Sequence, residues 1–320
     1  MKKIVVLLLF AVAMLVALSG CNDSSDYPDK EANPASDFEY EKNDDGGITI
    51  MKYVGTDETV VIPQTIDDIS VTELGRSAFV GLEHVKTLMM PDSVRFIGSA
   101  ACGDMAQLTN VRLSKNVEII GTSAFAGCHV LTEINLSMKT LTHIGDYAFN
   151  GCINLKKVTF GDNIEYIDDK AFIYCESLEE AILPKNLKSL GEYAFGECYS
   201  IKKIFIPKTL EEWGMSPFIG NISVTEIVLE DGLKKIGSYG CFAGCLVESV
   251  TIPDSVEKIA DIAFTAFPNL KSVYFEGDAP KEMGGLSLGR PEEVTVYYDP
   301  SKDGWDTTSI KDEYTLKALK

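Results

Sequence analysis

The chain has 320 residues, of which 24% are charged, and its 48 acidic side chains outnumber its 29 Lys and Arg residues. The resulting formal net charge of −19 argues against a nucleic-acid partner, because binding to phosphates depends on Lys and Arg that release counterions. The same charge would repel anionic lipid from a chain that lay flat on a membrane.

The amino-terminal residues predict export followed by lipid attachment. Lys2 and Lys3 precede fifteen residues without polar side chains, 4–18, which suits a secretory signal and is shorter than the roughly 20 residues of a spanning helix. The run ends in Leu18-Ser19-Gly20-Cys21, which resembles the bacterial lipobox, where the cysteine is lipidated and becomes the first mature residue. We therefore predict a signal peptide over 1–20 and a lipid on Cys21 as the only membrane contact. An ordinary secretory signal with a chance cysteine is the alternative.

An acidic stretch follows this cysteine. Residues 22–45 hold nine Asp or Glu residues against Lys30 and Lys42, together with two prolines and few apolar side chains. Such a composition buries too little apolar surface to offset the entropy of ordering, so we predict a disordered tether over 21–45. An ordered acidic segment is the alternative. Removal of the two lysines in the signal peptide would move the formal charge from −19 to −21.

An internal repeat dominates the rest of the chain. The dipeptide Ala-Phe, or a close variant, recurs at intervals of 22 to 24 residues, starting at Ala78, Ala101, Ala124, Ala148, Ala171, Ala194, Pro217, Cys241 and Ala263. A short alternating segment follows in each unit, as in Val158 and Phe160 alternating with Lys157 and Thr159. A period of two indicates a short strand with one face in the core, and nine such units predict a solenoid.

Two apolar columns account for the predicted core. The first contains one aromatic per unit, interrupted by Cys102 alone: Phe79, Phe125, Phe149, Phe172, Phe195, Phe218, Phe242 and Phe264. The second contains one aliphatic per unit: Val85, Leu108, Leu131, Leu155, Leu178, Ile201, Val224, Val247 and Leu270. Coils stacked at about 4.8 Å would bury both columns continuously, so nine or ten coils would form a stack roughly 45 Å long.

The repeated string Ile-Gly-x-x-Ala-Phe-x-Gly-Cys-x-x-Leu-x-x-Ile-x-Leu-Pro resembles the BspA-like class of bacterial leucine-rich repeats. The resemblance implies a β-rich solenoid of short strands and turns, with a period of about 23 residues, over 71–276. Residues 46–70 look like its amino-terminal β cap, and 277–320 look like its carboxyl-terminal cap strand and tail. The resemblance also implies an extracytoplasmic position at the cell surface or outer membrane, and binding of host or matrix proteins.

No constellation of residues predicts catalysis, a metal or a cofactor, so the chain is predicted not to be an enzyme. Seven of the eight cysteines lie at repeat positions that require a small apolar side chain, and we predict buried thiols rather than disulfides or zinc ligands. We predict that His84, His129 and His143, which occupy different repeat positions, are satisfied or solvated at the surface. Acidic pairs at exposed repeat positions predict a solvated face: Asp168-Asp169, Glu179-Glu180 and Glu211-Glu212.

The outward positions of the predicted strands supply the candidate binding site. Ile182, Phe205 and Val228 occupy this position in three consecutive units, flanked by a charged rim of Glu180, Lys203 and Glu226. Contiguous exposed apolar area rimmed by charge is typical of an interaction site. A covering loop or β-propensity alone is the alternative explanation. A second, weaker row of outward positions consists of Phe96, Ile119, His143 and Tyr166.

The sequence therefore favours a surface-tethered module that binds an unidentified protein, with an adhesin as its specific form. One alternative is a glycan-binding accessory lipoprotein, which would favour exposed Trp and Tyr platforms, although Trp213 and Trp305 are the only tryptophans. The other alternative is a passive structural surface protein without a specific ligand.

Overall fold

The computed structural model of the chain describes residues 31–237 and 239–319. The predicted signal peptide and Cys21 lie outside the described residues. Within those two ranges, no helix combines the length and the apolar character that crossing a bilayer requires.

Short strands make up most of the regular structure. In chain order they are β1 (Phe38–Lys42), β2 (Ile48–Tyr53), β3 (Thr59–Val61), β4 (Thr65–Ile66), β5 (Ile69–Leu74), β6 (Thr87–Met89), β7 (Phe96–Ile97), β8 (Asn110–Arg112), β9 (Ile119–Ile120), β10 (Glu133–Leu136), β11 (His143–Ile144), β12 (Lys157–Phe160), β13 (Tyr166–Ile167), β14 (Glu180–Ile182), β15 (Ser189–Leu190), β16 (Lys203–Ile206), β17 (Glu212–Trp213), β18 (Glu226–Leu229), β19 (Lys235–Ile236), β20 (Ser249–Ile252), β21 (Lys258–Ile259), β22 (Ser272–Phe275), β23 (Glu282–Met283), β24 (Thr295–Tyr298) and β25 (Thr315–Ala318). The helical segments of the described chain are a 3-10 turn at Ala35–Asp37 and α1 (Ile310–Glu313).

Two rows of parallel strands run along the stack. The short row, whose strands from β7 onward have two residues, forms a sheet in the order β2-β5-β7-β9-β11-β13-β15-β17 and continues separately as β19-β21-β23. The long row forms four sheets, β3-β6-β8, β10-β12, β14-β16-β18 and β20-β22-β24-β25. The predicted β-solenoid is confirmed, with about 12 turns at a period of about 23 residues. It has more coils than the predicted nine or ten because the segments at both ends add strands to the stack.

The short row is interrupted after β17, which ends at Trp213. Trp213 holds the inward position that Leu190 and Ile236, both buried, hold in the neighbouring coils. Its indole is only half-buried and makes an edge contact with the Phe242 ring at 6.2 Å. The break in regular pairing therefore coincides with a side chain larger than the Leu and Ile of its column, close to the irregular unit that Pro217 marks in the sequence.

The amino-terminal boundary differs from the sequence prediction. β1 pairs antiparallel with β2, so the prediction of a disordered tether over 21–45 is wrong for this strand. Phe38 is 4% exposed and packs on Tyr53, with ring centroids 5.4 Å apart. The Asn33 side chain accepts a hydrogen bond of 2.8 Å from the Val61 backbone N–H. The acidic composition concealed the strand because a single aromatic anchors it while its charged residues face solvent.

The carboxyl-terminal segment contains more regular structure than the predicted cap strand and tail. β24 pairs in parallel with β22, and β25 pairs in parallel with β24, so the last described residues add a further coil. Trp305 is buried here against Phe275 and Tyr298, with ring centroids 5.0 and 4.8 Å apart. Its Nε1–H donates to the Gly277 carbonyl oxygen at 3.1 Å, which satisfies the only polar atom of the indole.

The predicted Phe column forms a ladder of stacked rings inside the solenoid. From Phe125 to Phe264, the centroids of successive rings lie 5.0 to 5.7 Å apart and their planes differ by at most 18°. All rings of this column are fully buried, and the aliphatic column is buried beside them. Cys102 takes the Phe position in one coil and is buried as well. The sequence prediction of both columns is therefore confirmed.

The seven cysteines of the described chain are buried thiols, as predicted. Cys152, Cys175 and Cys198 each donate their Sγ–H to a Phe carbonyl oxygen of the preceding coil, at 3.2 to 3.3 Å. Asn221 takes the same column position, and its Nδ2 donates to the Phe195 carbonyl oxygen at 3.0 Å. Burial raises the pKa of the three thiols well above the ordinary value, which keeps them protonated and unreactive.

Replacement of Phe172, which lies mid-stack, tests the ladder. Phe172→Ala should lower the free energy of unfolding by about 3–5 kcal/mol, because burial energy is lost and a cavity remains. The control is Lys188→Ala, which removes an exposed ion pair with Glu165 at 2.7 Å and should cost at most about 1 kcal/mol. Amide hydrogen exchange in the neighbouring coils measures both losses locally, since repeat arrays can unfold in stages. Equal losses in the two variants would contradict the ladder assignment.

Candidate functional site

The long row carries the surface that the sequence predicted first. Ile182 on β14 pairs with Phe205 on β16, and Phe205 pairs with Val228 on β18, so the three side chains follow one another on adjacent strands. We call these three residues the apolar stripe. Ile182 is 42% exposed, whereas Phe205 and Val228 are half-buried. The stripe therefore has the expected register but presents less area to solvent than three open side chains would.

A ladder of alternating charge runs beside the apolar stripe. Glu180, Lys203 and Glu226 are in register on the same three strands, two residues before the stripe residues. Lys203 Nζ lies 2.7 Å from Glu226 Oε1, and both side chains remain partly exposed. An exposed ion pair contributes at most about 1 kcal/mol to folding, so its main effect here is to orient the charges at the edge of the stripe. An apolar centre with a polar rim is the usual arrangement of a protein interface.

The short row carries a second candidate surface, which we call the aromatic row: Phe96, Ile119, His143 and Tyr166. These residues pair in register from β7 through β9 and β11 to β13. Ile119 is 40% exposed and Tyr166 is 38% exposed, so this row is at least as open as the apolar stripe. The His143 ring stacks on the Tyr166 ring with centroids 5.5 Å apart.

Asp168 contacts the aromatic row at His143, and sequence analysis did not predict this contact. Its Oδ2 lies 2.6 Å from His143 Nε2, so the prediction that Asp168 belongs to a solvated pair is wrong. In the adjacent coils this position is glycine: a Cβ at Gly145 would lie 3.0 Å from the backbone of the preceding coil, and a Cβ at Gly191 would lie 2.3 Å from it. A carboxylate therefore occupies a position where stacking favours glycine. That exception to the repeat is the signal by which the sequence could have located the pair.

The remaining polar candidates do not converge on a chemical site. The His129 side chain is exposed, as predicted. His84 departs from the prediction, because its Nε2 is buried without a hydrogen-bond partner among the described residues. In the same part of the chain, no group of three or more His, Cys, Asp or Glu side chains could hold a metal ion.

The repeat itself decides the family of this chain. The family model described as the BspA type leucine rich repeat region matches in six copies, over residues 58–179, 97–224 and 214–281. These ranges together span 58–281, which is 224 of the 320 residues. The chain belongs to the BspA-type leucine-rich repeat family. Solenoids of this family are typically non-enzymatic binding scaffolds. A comparison with curated proteins finds no match.

Solved structures of bacterial leucine-rich repeat proteins are similar to this family member. The T. pallidum leucine-rich repeat protein is 23% identical, with 75% of this chain and 91% of that chain covered and a TM-score of 0.38. A leucine-rich repeat protein from Bacteroides ovatus is 21% identical, with 92% and 100% covered and a TM-score of 0.39. The pneumococcal vaccine antigen PcpA is 19% identical, with 88% and 83% covered and a TM-score of 0.43. At these identities, the family assignment rests on the repeat model.

The contact between His143 and Asp168 predicts a dependence of stability on pH. The pKa of His143 is raised, mainly by its hydrogen bond to Asp168, while partial burial opposes the shift. The contribution of this pair to the free energy of unfolding is therefore fully present below about pH 6.5, the pKa of histidine in the unfolded chain. It is lost as the pH rises through the higher pKa of His143 in the folded chain.

Asp168→Asn should lower the pKa of His143, measured by NMR titration of its ring, and should flatten the dependence of the unfolding free energy on pH in this window. Asp169→Asn is the control, because Asp169 is the adjacent exposed acid and makes no hydrogen bond to His143. A His143 titration that is unchanged in Asp168→Asn would contradict the role of the pair.

Proposed function

We propose that this chain is a lipid-anchored protein-binding module displayed at the cell surface. A leucine-rich repeat protein of this type is suited to protein binding, and members of the family are typically extracellular or surface-associated. The observation that carries the proposal is the apolar stripe, with three apolar side chains in register on adjacent strands and a charged rim beside them. Contiguous apolar surface rimmed by charge is uncommon on a protein without a partner.

The specific form that we propose is an adhesin for a host or matrix protein. Phe205 lies at the centre of the stripe between Ile182 and Val228, so a partner that covers the stripe would desolvate an aromatic ring flanked by branched aliphatics. Binding energy at interfaces is concentrated in such central, well-packed side chains. The ion pair between Lys203 and Glu226 would lie at the rim, where it contributes more to orientation and specificity than to affinity.

The two tryptophans offer no open platform for a glycan. A sugar ring stacks on an open aromatic face, but Trp305 is buried and Trp213 is half-buried against Phe242. Tyr274 and Tyr297 stack on each other with centroids 4.8 Å apart, so each tyrosine covers one face of the other. The tryptophans and this tyrosine pair favour a protein-binding module over a glycan-binding accessory lipoprotein, whereas Tyr174, Tyr199 and Tyr239 are exposed tyrosines.

Phe205→Ala tests the apolar stripe. The full chain and the variant are compared for capture of proteins from a matrix extract, and the dissociation constant of the captured partner is then measured. Phe205→Ala should weaken binding by at least about thirtyfold, which corresponds to about 2 kcal/mol. Thr159→Ala is the matched control, since Thr159 is also half-buried and lies two coils away at the same outward position of the long row. Equal affinity of Phe205→Ala and the unaltered chain would refute the stripe as the binding site.

Cys21→Ala tests the proposed anchor. Without the thiol no lipid can be attached, so the variant should accumulate as unprocessed precursor or appear in the soluble fraction. Cell fractionation followed by detergent extraction distinguishes these products from the anchored protein. A variant that is processed and stays with the detergent-extracted membranes like the unaltered chain would contradict lipidation at this residue. The outcome is independent of which surface binds a partner.

A further inference from the structure

The aromatic row is an apolar surface that ends in an acid on both sides. Glu73 on β5 pairs with Phe96 at one end of the row. At the other end, Tyr166 pairs with Ser189 on β15, and Ser189 pairs with Glu212 on β17. The arrangement covers seven consecutive strands of one parallel sheet, so the two glutamates lie roughly 29 Å apart at about 4.8 Å per strand.

The centre of the row is held in a fixed geometry. The Asp168 carboxylate holds the His143 ring by a contact of 2.6 Å, and that ring stacks on Tyr166. Asp168 replaces a glycine that the adjacent coils require for close packing, so the chain departs from its own repeat at the point where this ring is oriented. A preorganised aromatic pair loses less side-chain entropy when a partner covers it.

Two bases on the side of the row that precedes the strands are paired with acids. Arg95 Nε lies 2.7 Å from Glu118 Oε1, and its guanidinium lies over the Phe96 ring at 5.1 Å. Lys188 Nζ lies 2.7 Å from Glu165 Oε2. Within each of these pairs the positive and negative charges cancel, so neither pair adds net charge to this side of the row.

The acids that remain around the row form no salt bridge with any described residue. Glu73 and Asp169 accept hydrogen bonds from a threonine hydroxyl and a backbone N–H, at 3.1 and 2.6 Å, and Glu212 is exposed. Bases lie near some of these acids: Lys170 is close to Asp169 and Glu192, and Lys42 and Arg76 line the same depression as Glu73. Glu41, Asp44 and Asp146 lie on the same two sides, so acids outnumber bases and the net charge around the aromatic row is negative.

From this arrangement we propose that the aromatic row docks a basic segment of another protein, apolar at its centre and carrying Lys or Arg toward its ends. Ile119 and Tyr166 supply the exposed apolar area for its centre, and Glu73 and Glu212 lie where its flanking bases would be attracted. A second copy of this chain fits poorly, because a partner of formal charge −19 would bring acid against acid. The proposal does not depend on the apolar stripe, which lies on the other row of strands.

Two synthetic peptides of equal length test the docking surface. One has a centre of Leu and Phe flanked on each side by lysines, and the other has glutamates in place of the lysines. The full chain is titrated with each peptide; fluorescence anisotropy gives the affinity, and ¹⁵N–¹H NMR locates the contact. The Lys-flanked peptide should bind and shift the amides of β9, β11 and β13. Its affinity should fall as salt screens the acids.

Variants on the two rows of strands make the test specific. Tyr166→Ala should lower the affinity for the Lys-flanked peptide at least about tenfold, whereas Tyr166→Phe should retain most of that affinity. Glu212→Gln should weaken binding less and reduce its salt dependence. Phe205→Ala, which alters the apolar stripe, should leave the peptide affinity unchanged. The proposal is overturned if the Lys-flanked peptide does not bind, if the Glu-flanked peptide binds equally, if Tyr166→Ala binds as the unaltered chain does, or if the shifted amides lie away from the row.

Discussion

Backbone hydrogen bonds in register hold each coil of this solenoid to the next: the Phe125 N–H donates to the Ala148 carbonyl oxygen, and the Phe149 N–H donates to that of Ala171, both at 2.7 Å. The short spacing places equivalent positions directly above one another, so each inward side chain must pack against the residue at the same position of the next coil. Phenylalanine meets this requirement by parallel stacking, with Phe149 and Phe172 centroids 5.0 Å apart. The cysteines meet it because a thiol is small and donates to the carbonyl of the preceding coil. Core, strands and outward rows all follow from this stacking.

Departures from the columns show what the stack tolerates. Asn221 replaces a cysteine and keeps its hydrogen bond, since its amide donates to the Phe carbonyl oxygen of the preceding coil. Its Oδ1 also accepts a hydrogen bond from the Cys198 N–H at 2.9 Å. Trp213 is tolerated less well, because its Nε1 is buried without a hydrogen-bond partner among the described residues and pairing of the short row is interrupted after it. Asp168 differs from both, because its carboxylate contacts the outward-facing His143 of the preceding coil. This exception to the repeat therefore orients a surface ring rather than filling the core.

The same stacking determines the kind of ligand that the molecule suits. Outward residues at equivalent positions form straight rows on a sheet instead of converging on a cleft. A straight row about 4.8 Å per step matches an extended surface of a macromolecule better than a small molecule. The apolar stripe and the aromatic row lie on different rows of strands, so the two surfaces present different chemistry: a ladder of alternating charge with an ion pair between Lys203 and Glu226 beside one, and a net excess of acids around the other.

The repeat period by itself determined the solenoid, both core columns, the buried thiols and the register of Ile182, Phe205 and Val228, because units of equal length bring equivalent positions onto adjacent strands. Only the tertiary structure decided contacts between non-equivalent positions. The strand β1 could not be predicted from its acidic sequence, because Phe38 is its only buried residue and packs on Tyr53 of another strand. The His143–Asp168 pair joins different positions of two units, and the half-burial of Phe205 depends on the side chains around it. A periodic sequence specifies which residues share a column, but the distance between columns is set by how the chain bends within each coil.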